Sequence, residues 1–112
     1  MTIQILRDFG ADVEDGLGRC MNNEAFYLRL VGMALSDEGF EKLRDAADAG
    51  DTDAAFSAAH ALKGVLGNLA LTPLYRKASE ITELLRAKEE ADYPALSREL
   101  IEMRDRLAAA EA

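Results

Sequence analysis

The chain has 112 residues, enough for one domain that buries about two thirds of its unfolded surface. It is 49% hydrophobic, mostly Ala and Leu, with no Trp and two Pro, a composition that favours helix over sheet. A net charge of −8 argues against sequence-independent binding to nucleic acid and against a polybasic membrane contact.

The longest apolar stretch, from Val65 to Leu71, is interrupted by Gly67 and Asn68 and is far shorter than the roughly 20 residues of a membrane span. No basic-then-apolar signal segment opens the sequence. Cys20 is the single cysteine, so an intrachain disulfide is excluded and a reducing cytoplasm is the expected location.

Residues 1–21 read as two short helical pieces that cap a bundle. Ile3, Ile5, Leu6 and Phe9 anchor the first, which Gly10 ends. Val13, Leu17 and Met21 recur at i, i+4 and i+8 in the second, which Gly16 and Gly18 weaken. From the N-cap candidates Asn22 and Asn23, Phe26, Leu30 and Met33, then Phe40, Leu43 and Ala47, keep helical spacing up to Gly50. One long helix or two fit this span, with Ser36-Asp37 as the start of a second. Asp51, Thr52 and Asp53 suit the positive end of the next helix.

On that helix Ala55, Ala59, Leu62, Leu66 and Leu69 share one face, the expected buried one. His60, the only histidine, lies roughly 140° from its centre at about 100° per residue, on a stripe with Lys63, Gly64 and Gly67. The imidazole is therefore expected to face water. Two mid-helix glycines cost about 1 kcal/mol each relative to alanine. Their place beside the histidine predicts a bare backbone track that another protein surface approaches.

No carboxylate occupies the turns on either side of His60, and Lys63 disfavours an imidazolium. An unprotonated ring nitrogen is a nucleophile, and an ammonium at i+3 can offset the charge of a phosphoryl group. Taken singly, an exposed helix histidine is a surface residue and helix glycines mark close packing. Their conjunction with Lys63 on one polar stripe favours the chemical reading.

Thr72-Pro73 is a start signal, with Thr as N-cap and Pro at the first helical position, and Leu74, Ala78, Ile81 and Leu85 follow at helical spacing. Arg76, Lys77, Glu80, Glu83 and Lys88 form its solvated face. Pro94 opens the last helix, in which Leu96, Leu100, Met103 and Leu107 face inward. The expected fold is all-α: an antiparallel up-down four-helix bundle over residues 22–110, within one domain spanning 1–112, preceded by short N-terminal capping helices.

The run Ala59-His60-Ala61-Leu62-Lys63-Gly64, followed by Gly67, resembles the signature of histidine-containing phosphotransfer (HPt) domains. The Gly50-Asp51 turn before it and the Asn-Leu-Ala-Leu-Thr-Pro-Leu exit after it extend the resemblance along nearly the whole chain. Ala70 departs from the pattern, standing where many members carry glycine. The resemblance implies one long, bent helix between residues 22 and 49. It also implies His60 as phosphoacceptor, Lys63 as stabiliser of phosphoryl charge, and Gly64, Gly67 and Ser57 as docking residues for receiver domains. The implied partners are response-regulator receivers and a hybrid sensor kinase, with magnesium in the receiver and no cofactor bound by this chain.

Other chemistries fare worse. One histidine, one cysteine and no Glu-x-x-His pair argue against a metal-centred bundle. Ser57 at i−3 from His60 has no pocket or oxyanion hole to make it a hydrolytic nucleophile, and no Walker or dinucleotide loop is present. The expected activity is that of a monomeric phosphoryl carrier, not a self-contained enzyme. The alternative is a helical signalling adaptor in which His60 only contacts a partner; a sensor-kinase phosphoacceptor segment ranks below both, since no ATP-binding segment is found.

Overall fold

The computed structural model describes residues 1–110; residues 111 and 112 of the expected 1–112 domain lie outside the described residues. It is helical throughout, with no strand among the described residues. The elements are α1 (Ile3–Phe9), α2 (Val13–Arg19), α3 (Glu24–Leu35), α4 (Gly39–Asp48), α5 (Thr52–Asn68), α6 (Thr72–Arg86) and α7 (Tyr93–Ala109). No described helix is long and apolar enough to cross a membrane. Helices α4 to α7 pack in a ring, each against the next, and α7 closes on α4. Helices α1 and α3 rest on α7, and α2 bridges them.

Capping follows the side chains. Thr2, Asp12, Asn23, Asp51 and Asp92 each accept the backbone N–H of the third residue of the helix that follows. Pro73 and Pro94 fall in first turns, where a missing N–H is harmless. The start of α6 differs from the expectation: Leu71 is its N-cap, Thr72 is already helical, and the Thr72 hydroxyl donates back to the Ala70 carbonyl at 3.3 Å.

The long helix expected between residues 22 and 49 is two helices. Asp37 Oδ1 accepts the Gly39 N–H at 2.7 Å, a local turn that competes with helix continuation. Gly39 then starts α4 hard against α5: a Cβ there would lie 3.0 Å from Leu62. Among the described residues there are thus seven helices, of which four, α4 to α7, form the ring, and α3 lies outside it.

The inward face of α3 also differs. Tyr27, Val31, Ala34 and Leu35 are buried, whereas Phe26 is 39% and Met33 64% exposed. Apolar residues occupy both faces of this helix, so spacing alone could not choose between them. Met21, expected inside α2, follows its end at a φ of 57° and is 89% exposed. The α5 and α6 core stripes match expectation: Ala55, Ala59, Leu62, Leu66 and Leu69 are buried, as are Leu74, Ala78, Ile81 and Leu85, whereas in α7 Leu100 and Leu107 are buried but Leu96 and Met103 only partly so.

The N-terminal helices are tied to the end of α5. That helix ends in a Schellman turn, with Leu71 N–H donating to Leu66 O and Ala70 N–H to Gly67 O. Ala70 takes the left-handed conformation, φ 55°, that glycine usually supplies. The turn presents two further carbonyls: Leu69 O accepts the buried Tyr27 hydroxyl at 2.8 Å, and Ala70 O accepts the Asp12 N–H at 2.9 Å. Gly16 makes room for the Tyr27 ring, since a Cβ there would lie 2.5 Å from it.

Gly16→Ala pushes the Tyr27 ring off the Leu69 carbonyl, and overpacking with a lost buried hydrogen bond exceeds the roughly 1 kcal/mol gained in helix propensity. Denaturant unfolding is expected to show a loss of about 1–3 kcal/mol. Burial first, then the negative charges of Cys20, Asp12 and Asp15, push the Tyr27 phenol up to about 12 from its ordinary 10. A folded value above the unfolded one means that this contribution is complete below pH 10 and is lost as pH rises towards 12. It amounts to about 2–3 kcal/mol, read as the difference in alkaline stability loss between wild type and Tyr27→Phe; parallel curves above pH 10 would contradict it.

Candidate functional site

Helix α5 positions the candidate site. Asp51 caps it by accepting the Ala54 N–H at 3.1 Å. Small residues, Ala55 and Ala59, then let α4 and α6 close over one face while Leu62 and Leu66 fill the core between them. With that face buried, the helical repeat turns His60 outward, and it is exposed.

His60 lies in an open groove of about 510 Å³. Its floor and one side come from α5 through Lys63, Gly64 and Gly67, with Tyr75 of α6 alongside. The opposite side is α2, which contributes Asp15 and Arg19, with its cap Asp12. Asp15 and Arg19 pair with each other at 3.3 Å.

One turn before the histidine, the Phe56 ring lies against the imidazole, with centroids 5.7 Å apart and planes at 39°. The Arg86 guanidinium sits 5.1 Å from the Phe56 centroid. Between the two cations stands Glu83 of α6, with one carboxylate oxygen 3.5 Å from Lys63 Nζ and the other 3.2 Å from Arg86 Nε. The site thus combines an exposed imidazole with two cations held by one carboxylate.

The two glycines beside His60 differ. A Cβ at Gly64 would meet nothing within 4 Å, so bare helix faces the groove there. A Cβ at Gly67 would lie 3.0 Å from the Tyr75 ring, so Gly67 serves the packing of α6 on α5, contrary to the expectation that it is part of a bare track open to a partner. Ser57 is exposed and lines a separate groove of about 1000 Å³ beside Arg86, not the one that holds His60. Among the described residues, no group of three or more His, Cys, Asp or Glu side chains could hold a metal ion.

Of the neighbours of His60, Glu83 was expected on a solvated face and the α2 residues in a cap, while Arg86 and Tyr75 carried no expectation. Phe56 carried a signal, its i−4 spacing from His60. The others arrive across helix interfaces, for which the sequence carries no comparable spacing rule.

A family model described as Hpt domain matches residues 33–110, more than two thirds of the chain. No curated protein and no solved structure matches it. The matched span contains α4 to α7 and the whole His60 stripe, while α1, α2 and most of α3 precede it. The chain belongs to the Hpt domain family, whose members interact with receiver domains and carry phosphoryl groups in two-component phosphorelays.

Proposed function

We propose that this protein is a phosphorelay carrier in which His60 accepts a phosphoryl group from a receiver's aspartyl phosphate and passes it to another receiver. The observation that carries the reading is an exposed imidazole on α5, next to Lys63 and to the open backbone at Gly64, within the residues that match the family. The ring packing of α4 to α7 with short turns supports an antiparallel up-down arrangement, which leaves the α5 stripe on the outside.

In the proposed step the lone pair of an imidazole nitrogen attacks phosphorus in line. The N–P bond forms as the P–O bond to the receiver's aspartate breaks, the carboxylate leaves with the electron pair, and the other ring nitrogen releases its proton to water. Lys63 offsets charge on the phosphoryl oxygens. The receiver supplies magnesium; this chain supplies no cofactor. The reverse reaction loads the second receiver. Gly64 gives close approach, Ser57 lies on the rim towards the Arg86 side, and Gly67 acts indirectly by seating Tyr75. The chain works as a cytoplasmic monomer, with receivers or a hybrid sensor kinase as partners.

His60→Gln is expected to abolish phosphoryl acceptance while helicity and melting stay close to wild type; retained acceptance would sink the assignment and favour another nucleophile. Gly64→Gln fills open space at the groove without touching the core, so transfer from a receiver should slow by tenfold or more, about 1.4 kcal/mol at the encounter. Its melting should not fall and should rise by a few degrees, since a helix glycine gives way to a better helix former. An unaltered transfer rate would show that receivers do not approach α5 at this point.

A further inference from the structure

The charged groups beside His60 are linked through one carboxylate. Lys63 and Arg86 both pair with Glu83, Arg86 covers the Phe56 ring, and Phe56 lies against the imidazole. We propose that Glu83 is a positioning residue that holds the Lys63 ammonium between phosphoryl transfers and yields it to the phosphoryl group when His60 carries one. The inference rests on His60 as the phosphoacceptor.

Three observations support it. First, the Lys63–Glu83 contact is loose: 3.5 Å, against 2.7 Å for the surface pair Lys42–Glu38, so no tight charge-assisted hydrogen bond must be broken. Second, Glu83 keeps Arg86 at 3.2 Å through its other oxygen, and at 53% exposure it stays hydrated, so release of Lys63 leaves no unpaired buried charge. Third, Lys63 is only 26% exposed and rooted one turn from His60 on the same helix. Its stem is packed while its head has a short arc, from Glu83 on one side to the imidazole's substituent on the other. A phosphoryl group carrying about −1.5 to −2 charges outcompetes a single carboxylate that is already shared.

The consequence is a restrained cation. While His60 is free, Lys63 is kept near the ring but off it, and the imidazole is open to attack on phosphorus. Once the N–P bond exists, the ammonium moves onto the phosphoryl oxygens, at the expense of its contact with Glu83. Glu83 therefore opposes the Lys63–phosphoryl contact, and its removal should strengthen it.

The test uses the full chain and a small donor, so that receiver docking plays no part. Phosphoramidate phosphorylates the imidazole: the donor's P–N bond breaks, the ring N–P bond forms, and ammonia leaves with the ring proton. The second ionisation of the phosphohistidine is then followed by phosphorus NMR across pH. Glu83→Gln should lower its midpoint by about 0.3–0.7 pH unit, the logarithm of the two- to fivefold worth of an exposed ion pair. Lys63→Gln should raise it. In the Lys63→Gln background the Glu83 effect should fall below half, because the cation being contested is gone.

Asp12, Asp15 and Arg19 are the other charges that line this groove, and Asp53, Arg86, Lys88, Glu89 and Glu90 line the one on its flank; all are the same in every variant. A midpoint that ignores Glu83 overturns the inference alone, as does an undiminished Glu83 effect without Lys63, which would mean simple charge repulsion. A wild-type chain that forms no phosphohistidine removable by His60→Gln overturns the acceptor reading and this inference with it.

Discussion

The end of α5 is the constraint on which the rest of the molecule depends. A helix cannot satisfy its last carbonyls internally, and here the solution recruits distant parts of the chain. The left-handed turn at Ala70 closes two of these bonds locally and aims the Leu69 and Ala70 carbonyls at Tyr27 and Asp12. Buried groups of this kind are costly to leave unpaired, about 1–3 kcal/mol each, so α2 and α3 are held where they can supply donors. Gly16 completes the tie by admitting the Tyr27 ring. The helix that carries His60 is thus anchored at the end nearer the histidine's groove, and α2 becomes a wall of that groove.

The same helix separates structure from chemistry by rotation about its axis. Alanines and leucines on one face let α4 and α6 approach, and the opposite stripe keeps the polar groups in water. Neighbouring helices nevertheless shape the polar side. Tyr75 uses the gap at Gly67, and Glu83 and Arg86 reach over from α6 to Lys63 and Phe56. Gly64 is the position that stays open. The proposed carrier role asks for this economy: an exposed imidazole, a nearby cation and room for a partner.

Much of this was legible in the residues. The α5 and α6 stripes, the Asn23 and Asp51 caps, the Gly50 stop and the outward turn of His60 all follow from helical periodicity and local capping. Periodicity failed where it was degenerate: α3 has apolar residues on both faces, and only the Tyr27 hydroxyl's distant partner at Leu69 decides between them. The break before α4 was one of two readings that the spacing allowed, and the family resemblance favoured the other; the Asp37 turn and the fit of Gly39 on Leu62 select it. The roles of Gly67 and Glu83 lie in contacts between helices, which no spacing within one helix encodes. The His60 stripe was legible in the residues, and the groups that surround it were not.

If His60 is the residue that carries the phosphoryl group, mapping that group on the loaded chain will locate it there. The chain would be loaded from a phosphorylated receiver domain, digested under alkaline conditions that preserve phosphohistidine, and sequenced by mass spectrometry. The account predicts one phosphoryl group, confined to His60 on α5. A phosphoryl group on any other residue, or none from receivers that load another Hpt domain under the same conditions, would contradict it.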